Sequence, residues 1–365
     1  MDAQVVLLPT PTEEQIWAYF DSTAMPPQAV VEQVLSVLSS EGALSVVELE
    51  SMVNLRRGRL EALLKILDVE GAVEREGSKW MCTGRSWHYD TERYEQLAES
   101  RHSEQQAMRS YQQLSGCRLR FLREQLDDPD PVDCGRCDYC TERSGTAFSE
   151  SVLTDTSLSE NASDQAAAVQ FLQDVTVVIE PRKQWPRGLA DRSGNIAATS
   201  RSQVGRALAF GNDPGWSEIV APLFSQPDQP PTEQLLAALA AVLKAWSWQQ
   251  RPTWITWIPS RTRPALVEGI ARGLGALGKL QVIAAVQRMQ LDALPQARME
   301  NSASQAANVI SAFSFGAVSG QDLPDGPCLV VDDSLRSGWT MTVVAEGLLA
   351  AGATEVLPLV LWRRP

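Results

Sequence analysis

The chain has 365 residues, 44% of them hydrophobic, enough for two or three domains with more than one core. A formal net charge of -13 excludes a surface that binds nucleic acid all over, since phosphate neutralisation needs clustered Lys and Arg. Splitting the chain near residue 145 does not change this: 15 Lys and Arg stand against 25 Asp and Glu before it, and 17 against 20 after it. There is no basic n-region leading into an apolar stretch and no window near the roughly 18 apolar residues of a membrane span, so the expectation is a soluble, cytoplasmic protein without a membrane partner.

Residues 5–9 read as an apolar strand, followed by a helix start at 12–15 and the aromatic run Trp17, Tyr19, Phe20. A strand with no partner of its own is expected to be the end of something upstream. From Pro26 the pattern turns helical, with Val30, Val31, Val34, Leu35 and Leu38 on one face, and a shorter helix follows at 46–53. Asn54 is the expected cap of a third helix, whose Leu60, Leu63, Leu64 and Leu67 repeat at i, i+3, i+4 and i+7. Residues 72–76, a Gly77-Ser78 turn and residues 79–82 then read as a hairpin. Three helices and a hairpin in that order make a winged helix, over 23–88. Its cations Arg56, Arg57 and Arg59 at the third helix start, with Arg75 and Lys79 on the wing, are the candidate DNA contacts, although Glu50, Glu61, Glu74 and Glu76 interleave with them.

A long charged helix, 90–111, leads into a cysteine cluster, and the two make a helical module over 89–145. Residues 146–170 have the polar composition of a linker. In 171–365 strands at 175–179, 253–258, 280–286, 328–331 and 356–361 alternate with helices at 233–248, 263–277 and 340–351. Such alternation predicts an α/β domain with a mostly parallel sheet, binding ligands at the carboxyl ends of its strands.

Cys117, Cys134, Cys137 and Cys140 have the spacing of four thiolates that close a tetrahedral Zn²⁺ site, which contributes folding energy and leaves no open position for water. An iron-sulfur cluster uses the same ligands, and spacing alone does not separate the two. Cys82 and Cys328 stand apart in apolar surroundings. With Met108, Tyr111, Arg118, Phe121, Leu122 and the run from Cys134 to Cys140, the cluster resembles the zinc-binding module of RecQ-type DNA helicases over about forty residues. That resemblance implies a structural zinc beside a winged helix, behind an ATP-driven 3′-to-5′ DNA motor that acts in unwinding, repair or recombination. Here there is no G-x-x-x-x-G-K-[ST] loop, so ATP would belong to motor domains absent from this chain, with residues 1–22 as the end of the upstream lobe. The winged helix precedes the zinc module rather than following it, which suggests a RecQ-like subfamily with an extra C-terminal domain.

In that domain a strand runs into Asp332 and Asp333, and Ser334 to Thr340 lead to a helix N-terminus, where backbone N–H groups and a hydroxyl hold phosphate. The pattern resembles the 5-phosphoribosyl 1-pyrophosphate motif of type I phosphoribosyltransferases. The loop Ser260, Arg261, Thr262, Arg263 resembles that family's pyrophosphate loop, and Gln290, Asn301, Gln305 and Asn308 ahead of Phe313 resemble the variable segment of ComF-like members. The resemblance implies that Asp332 and Asp333 take ribose hydroxyls, that Arg336, Ser337, Gly338 and Thr340 take the 5′-phosphate, and that Ser260, Arg261 and Arg263 take pyrophosphate, with Mg²⁺ arriving on the substrate. Trp339 and Arg336 stand where the family has small residues, and an indole there is expected to crowd the phosphate. Three readings stay open: a DNA-positioning accessory, a phosphoribosyltransferase binding a nucleotide or phosphoribosyl pyrophosphate, and a degenerate domain that recruits a protein partner. The tryptophans at 246, 248, 254 and 257 read as core or interface packing, and His88 and His102 carry no catalytic assignment.

Overall fold

The computed structural model describes residues 7, 13–22, 26–143, 166–167, 169–171, 173, 177–213, 215–289, 295–316 and 322–364. The expected strand at 5–9, apart from Leu7, most of the expected linker, and Gln290 lie outside them. The chain forms two compact units, Met1–Val31 with Arg85–Ala166, and Glu32–Gly84 with Ala167–Pro365. No helix among the described residues is long and apolar enough to cross a membrane.

The first unit is helical: α1 (Glu13–Ser22), the start of α2 (Gln28–Glu41), then α5 (Thr91–Gln112), α6 (Arg118–Glu124) and α7 (Asp138–Arg143). Helix α5 is capped by Asp90, whose carboxylate accepts from the backbone N–H of Arg93, and none of its side chains is buried. Its partner α1 is held by polar groups: Gln105 donates to Asp21, Gln112 to Glu13, and Arg109 to Glu14 while lying over the ring of Trp17.

In the second unit, α2 is followed by α3 (Val46–Met52) and α4 (Arg57–Val69) and by a three-stranded antiparallel sheet in the order β1-β3-β2, made of β1 (Leu44–Ser45), β2 (Val73–Glu76) and β3 (Lys79–Cys82). The stripe of α4 is buried as expected, with Leu60, Leu63, Leu64 and Leu67 beside Leu38, Leu49 and Trp80 among the buried side chains. Gly77 turns the hairpin at φ 61°, a conformation that favours glycine, between the paired residues Glu76 and Lys79. One expectation fails here. The N-cap of α4 is Arg56, not Asn54, and it makes no side-chain cap. Asn54 instead donates to the carbonyl of Arg298 and accepts from the backbone N–H of Glu300, a tertiary bridge that outcompetes the local cap.

The rest of the unit is an α/β layer. Its six-stranded sheet runs β4-β5-β11-β10-β6-β7, from β4 (Val177–Ile179), β5 (Gly205–Phe210), β6 (Trp254–Trp257), β7 (Gln281–Val282), β10 (Cys328–Leu335) and β11 (Val356–Arg363). All neighbours are parallel except β4, which is antiparallel at the edge. Beside the short α8 (Ser217–Val220), helices α9 (Glu233–Ala245) and α10 (Pro264–Gly278) contribute Leu235, Leu239, Leu266, Ile270 and Leu274 to one core, with Leu329 and Val331 of β10. On the other face α11 (Ser302–Ile310) and α12 (Trp339–Ala350) contribute Ala306, Val309, Val344 and Leu348, with Val330. Because β10 is covered on both sides it reads as a continuous apolar run. A separate antiparallel ribbon, β8 (Val286–Arg288) with β9 (Phe313–Phe315), lies outside the main sheet. The expected single strand at 280–286 is therefore two, and β5 was not anticipated.

Candidate functional site

The first candidate site is the thiol cluster. Cys117 is the N-cap of α6, and its sulfur accepts from the backbone N–H groups of Arg120 (3.4 Å) and Cys134 (3.2 Å). Cys134 accepts from the N–H of Cys137 at 3.3 Å, after a turn in which Gly135 has φ 69°. Cys140 follows on α7, so all four sulfurs converge within 4.8 Å of one another. Four sulfurs at the ~2.3 Å of a Zn–S bond lie about 3.8 Å apart in a tetrahedron. The Cys137 and Cys117 sulfurs, 3.9 Å apart, are already at that spacing. Burial, and hydrogen bonding to Cys137, push the Cys140 thiol up to about 12, so a metal bound there must displace its proton. These residues fit a metal such as zinc.

The cluster is braced from one side. Arg118 donates to both carboxylate oxygens of Asp138 (3.0 and 3.3 Å) and to the carbonyl of Tyr111 (2.8 Å), and its guanidinium lies 5.5 Å from the centre of the Tyr111 ring, which packs on Phe121. Hydrogen bonding from Arg118 holds the Asp138 carboxyl below the ordinary carboxylate range. Tyr111, Arg118 and Phe121, singled out by sequence, thus tie the ends of α5, α6 and α7 together.

The second site is the carboxyl edge of the six-stranded sheet. Asp332 and Asp333 are the fifth and sixth residues of β10, which continues to Leu335 instead of stopping before the acids. Asp332 is buried, and that burial, with Asp333 beside it, raises its carboxyl well above the ordinary range. Asp333 accepts from the hydroxyls of Ser260 (2.6 Å) and Ser334 (2.9 Å). Ser260 and Asp333, 73 residues apart, are thereby joined. Ser260 also accepts from the backbone N–H of Arg263, folding its own loop. Arg261 is exposed, but the guanidinium of Arg263 is engaged by the carbonyls of Phe224 and Thr262.

At the turn, Arg336 is exposed, Ser337 receives a hydrogen bond on its carbonyl from Arg182 (2.8 Å), and Gly338 caps α12 at φ 80° with no side-chain partner for the first-turn N–H groups. Thr340 sits half-buried in that first turn. Trp339 does not crowd the turn. Its indole is 1% exposed and stacks on Trp185 (5.7 Å, 15°), with Arg182 over its ring and Arg192, ion-paired to Glu346, over that of Trp185.

Sequence reasoning missed two cations. Arg288, on β8, donates to the carbonyl of Pro259 and lies over Phe313; burial, then the nearby Arg261, lower its pKa, while Asp332 and Asp333 counter both. Arg364 is lowered by burial and countered by Asp333. Arg364 follows the strand beside β10, a position that predicts ligand contact once the strand order is known; no local motif marks Arg288.

The candidate DNA contacts differ in their surroundings. Arg57 pairs with Glu61, Arg59 with Glu300, and Arg75 donates to the carbonyl of Gly77 and lies over Trp80. Arg56 and Lys79 are exposed. No protein-family model matches the chain, and no curated protein matches it.

Proposed function

We propose that the chain is the accessory region of a RecQ-like 3′-to-5′ DNA helicase, with a zinc-stapled helical module, a winged helix formed by α2 to α4 with β1 to β3, and a phosphoribosyltransferase-like α/β domain. The observation that carries this reading is the closure of Cys117, Cys134, Cys137 and Cys140, braced by Tyr111, Arg118 and Asp138. The function follows as positioning DNA for a motor outside this chain. The test is zinc content by elemental analysis with DNA binding by fluorescence anisotropy, on the protein and on Cys137→Ser. One equivalent of zinc and DNA affinity that the substitution weakens is the expected result; zinc without DNA affinity defeats the DNA-positioning role.

A second reading is favoured by the Ser260 to Asp333 hydrogen bond. We infer that the carboxyl edge binds a phosphoribosyl pyrophosphate or nucleotide carried with Mg²⁺. Asp332 and Asp333 would accept ribose hydroxyls, the uncapped start of α12 would receive a phosphate, and Arg261, Arg288 and Arg364 would balance the polyanion. Calorimetry with 5-phosphoribosyl 1-pyrophosphate tests this: Mg²⁺-dependent binding lost in Asp333→Asn is expected, and no heat with the intact protein removes it.

A further inference from the structure

The loop beside the carboxylate pair is closed by the chain itself. Residues 260–263 lead from β6 into the 15-residue α10, and Ser260 ties them to Asp333. The start of such a helix offers N–H groups and partial positive charge to an anion. Here those donors are already occupied. The N–H groups of Thr262 and Arg263 donate to the Ser260 hydroxyl, and Pro264 has no N–H. The N–H groups of Ala265 and Leu266 donate to the two carboxylate oxygens of Asp228, at 2.7 and 3.2 Å.

Asp228 stands 37 residues before Ala265, so its carboxylate is no local cap. It belongs to an irregular segment, 225–231, between the 3₁₀ turn Ala221–Phe224 and α9. That turn engages the neighbouring cations. The carbonyl of Phe224 accepts from Arg263 at 2.6 Å, and the Phe224 ring lies 4.6 Å from the guanidinium of Arg364. Arg263 is incompletely matched, because its Nε is buried with no acceptor among the described residues. The segment is fixed at one end, where Pro231 lies so close to Gly269 of α10 that a Cβ there would come within 2.4 Å. Residues 225–227, 229 and 230 are exposed, so freeing Asp228 takes only a local opening.

On the reading of the carboxyl edge as a site for phosphoribosyl pyrophosphate, the ribose lies on the acids and one phosphate at the start of α12. The diphosphate then meets the loop that Ser260 joins to Asp333. We infer that Asp228 is an internal competitor for that diphosphate: its carboxylate holds the two first-turn N–H groups of α10 that the diphosphate takes, and binding displaces it. Only molecules with Asp228 released accept the ligand, so apparent affinity is reduced by the released fraction. Arg263 is freed from Phe224 in the same opening and gains the anionic partner it lacks.

The test is calorimetric titration of the full chain with 5-phosphoribosyl 1-pyrophosphate and Mg²⁺, on the intact protein, Asp228→Ala and Asp228→Asn. Asp228→Ala frees both N–H groups and is expected to bind about ten-fold more tightly. Asp228→Asn keeps one acceptor but loses the charge; it guards against a folding defect in the first variant and is expected to fall between. Glu268→Gln removes a charge from the second turn of α10, where it pairs with Arg272, and is expected to change affinity by less than about two-fold. Affinity that is unchanged or weaker in folded Asp228→Ala makes Asp228 an ordinary tertiary cap and overturns the inference. So does an equal gain in Glu268→Gln, since that is a general effect of charge. No heat with the intact protein or either variant removes the phosphoribosyl pyrophosphate reading and the competitor with it, an outcome distinct from binding that is indifferent to Asp228.

Discussion

Helix α5 runs for 22 residues without burying a side chain, while α12 buries seven of its twelve. The contrast extends to the described residues of each unit. Pro26 and Val31 aside, the buried described residues of the first unit are Cys117 and Cys140, whereas the second unit has two apolar cores, one on each face of its sheet. A region with so little apolar surface to bury must draw its stability from elsewhere, and four converged thiols supply the place. A sheet covered on both faces needs no such staple.

The sharpest way to break this comparison is to disable the thiol cluster. Cys137→Ser, or a chelator, is expected to abolish zinc binding and with it the helical circular dichroism of residues 91–143, since structural zinc in small domains contributes an apparent ~10–16 kcal/mol at neutral pH. The tryptophan near-ultraviolet signal of the α/β layer should persist. Acidification should act in the same direction, because protons compete for the sulfurs. Helices that survive without metal would show that the first unit has another source of stability.

The converse substitution is Leu348→Ala, in the core between α12 and the sheet. It is expected to destabilise the second unit by about 2–5 kcal/mol in denaturant titration and to leave zinc content unchanged. Asn301→Ala should cost about 1–3 kcal/mol, since it strands the carbonyls of Glu50 and Val53 and uncaps α11.

Asp332 gives a pH signature. Its folded carboxyl sits above the unfolded one because of burial, so the native state binds more protons, and stability falls as pH rises from the ordinary carboxylate range to the folded pKa. Asp332→Asn is therefore expected to raise the thermal midpoint at neutral pH, with the gain vanishing in acid; a gain that grows as the pH falls would reverse the assignment. The smallest effect is expected for Arg272→Ala, which breaks an exposed i,i+4 pair with Glu268 on α10 and should change stability by no more than about 0.5 kcal/mol.

Features with local causes were legible in the sequence. The leucine stripe of α4, the Gly77-Ser78 turn, the two-sided apolar run of β10 and the cysteine spacing each follow from a few neighbouring residues. Strand β5 was not legible, because Gly205 reads as a break. Its lack of a side chain answers a packing demand instead: a Cβ there would lie 2.7 Å from Pro358 on β11.

By itself, then, the sequence determined where the helices and strands could form, that four thiols would gather, and that a strand would deliver two carboxylates beside a loop led by Ser260. Only the tertiary structure decided which polar groups remain available to a ligand. Asn54 could cap a helix and became a bridge to residues 298 and 300. Arg59 could face DNA and pairs with Glu300, and Trp339 could fill a phosphate turn and stacks on Trp185. In each case the competing partner lies more than 150 residues away, where neither periodicity nor spacing reaches, and burial with a satisfied hydrogen bond or ring stack outweighs the local preference.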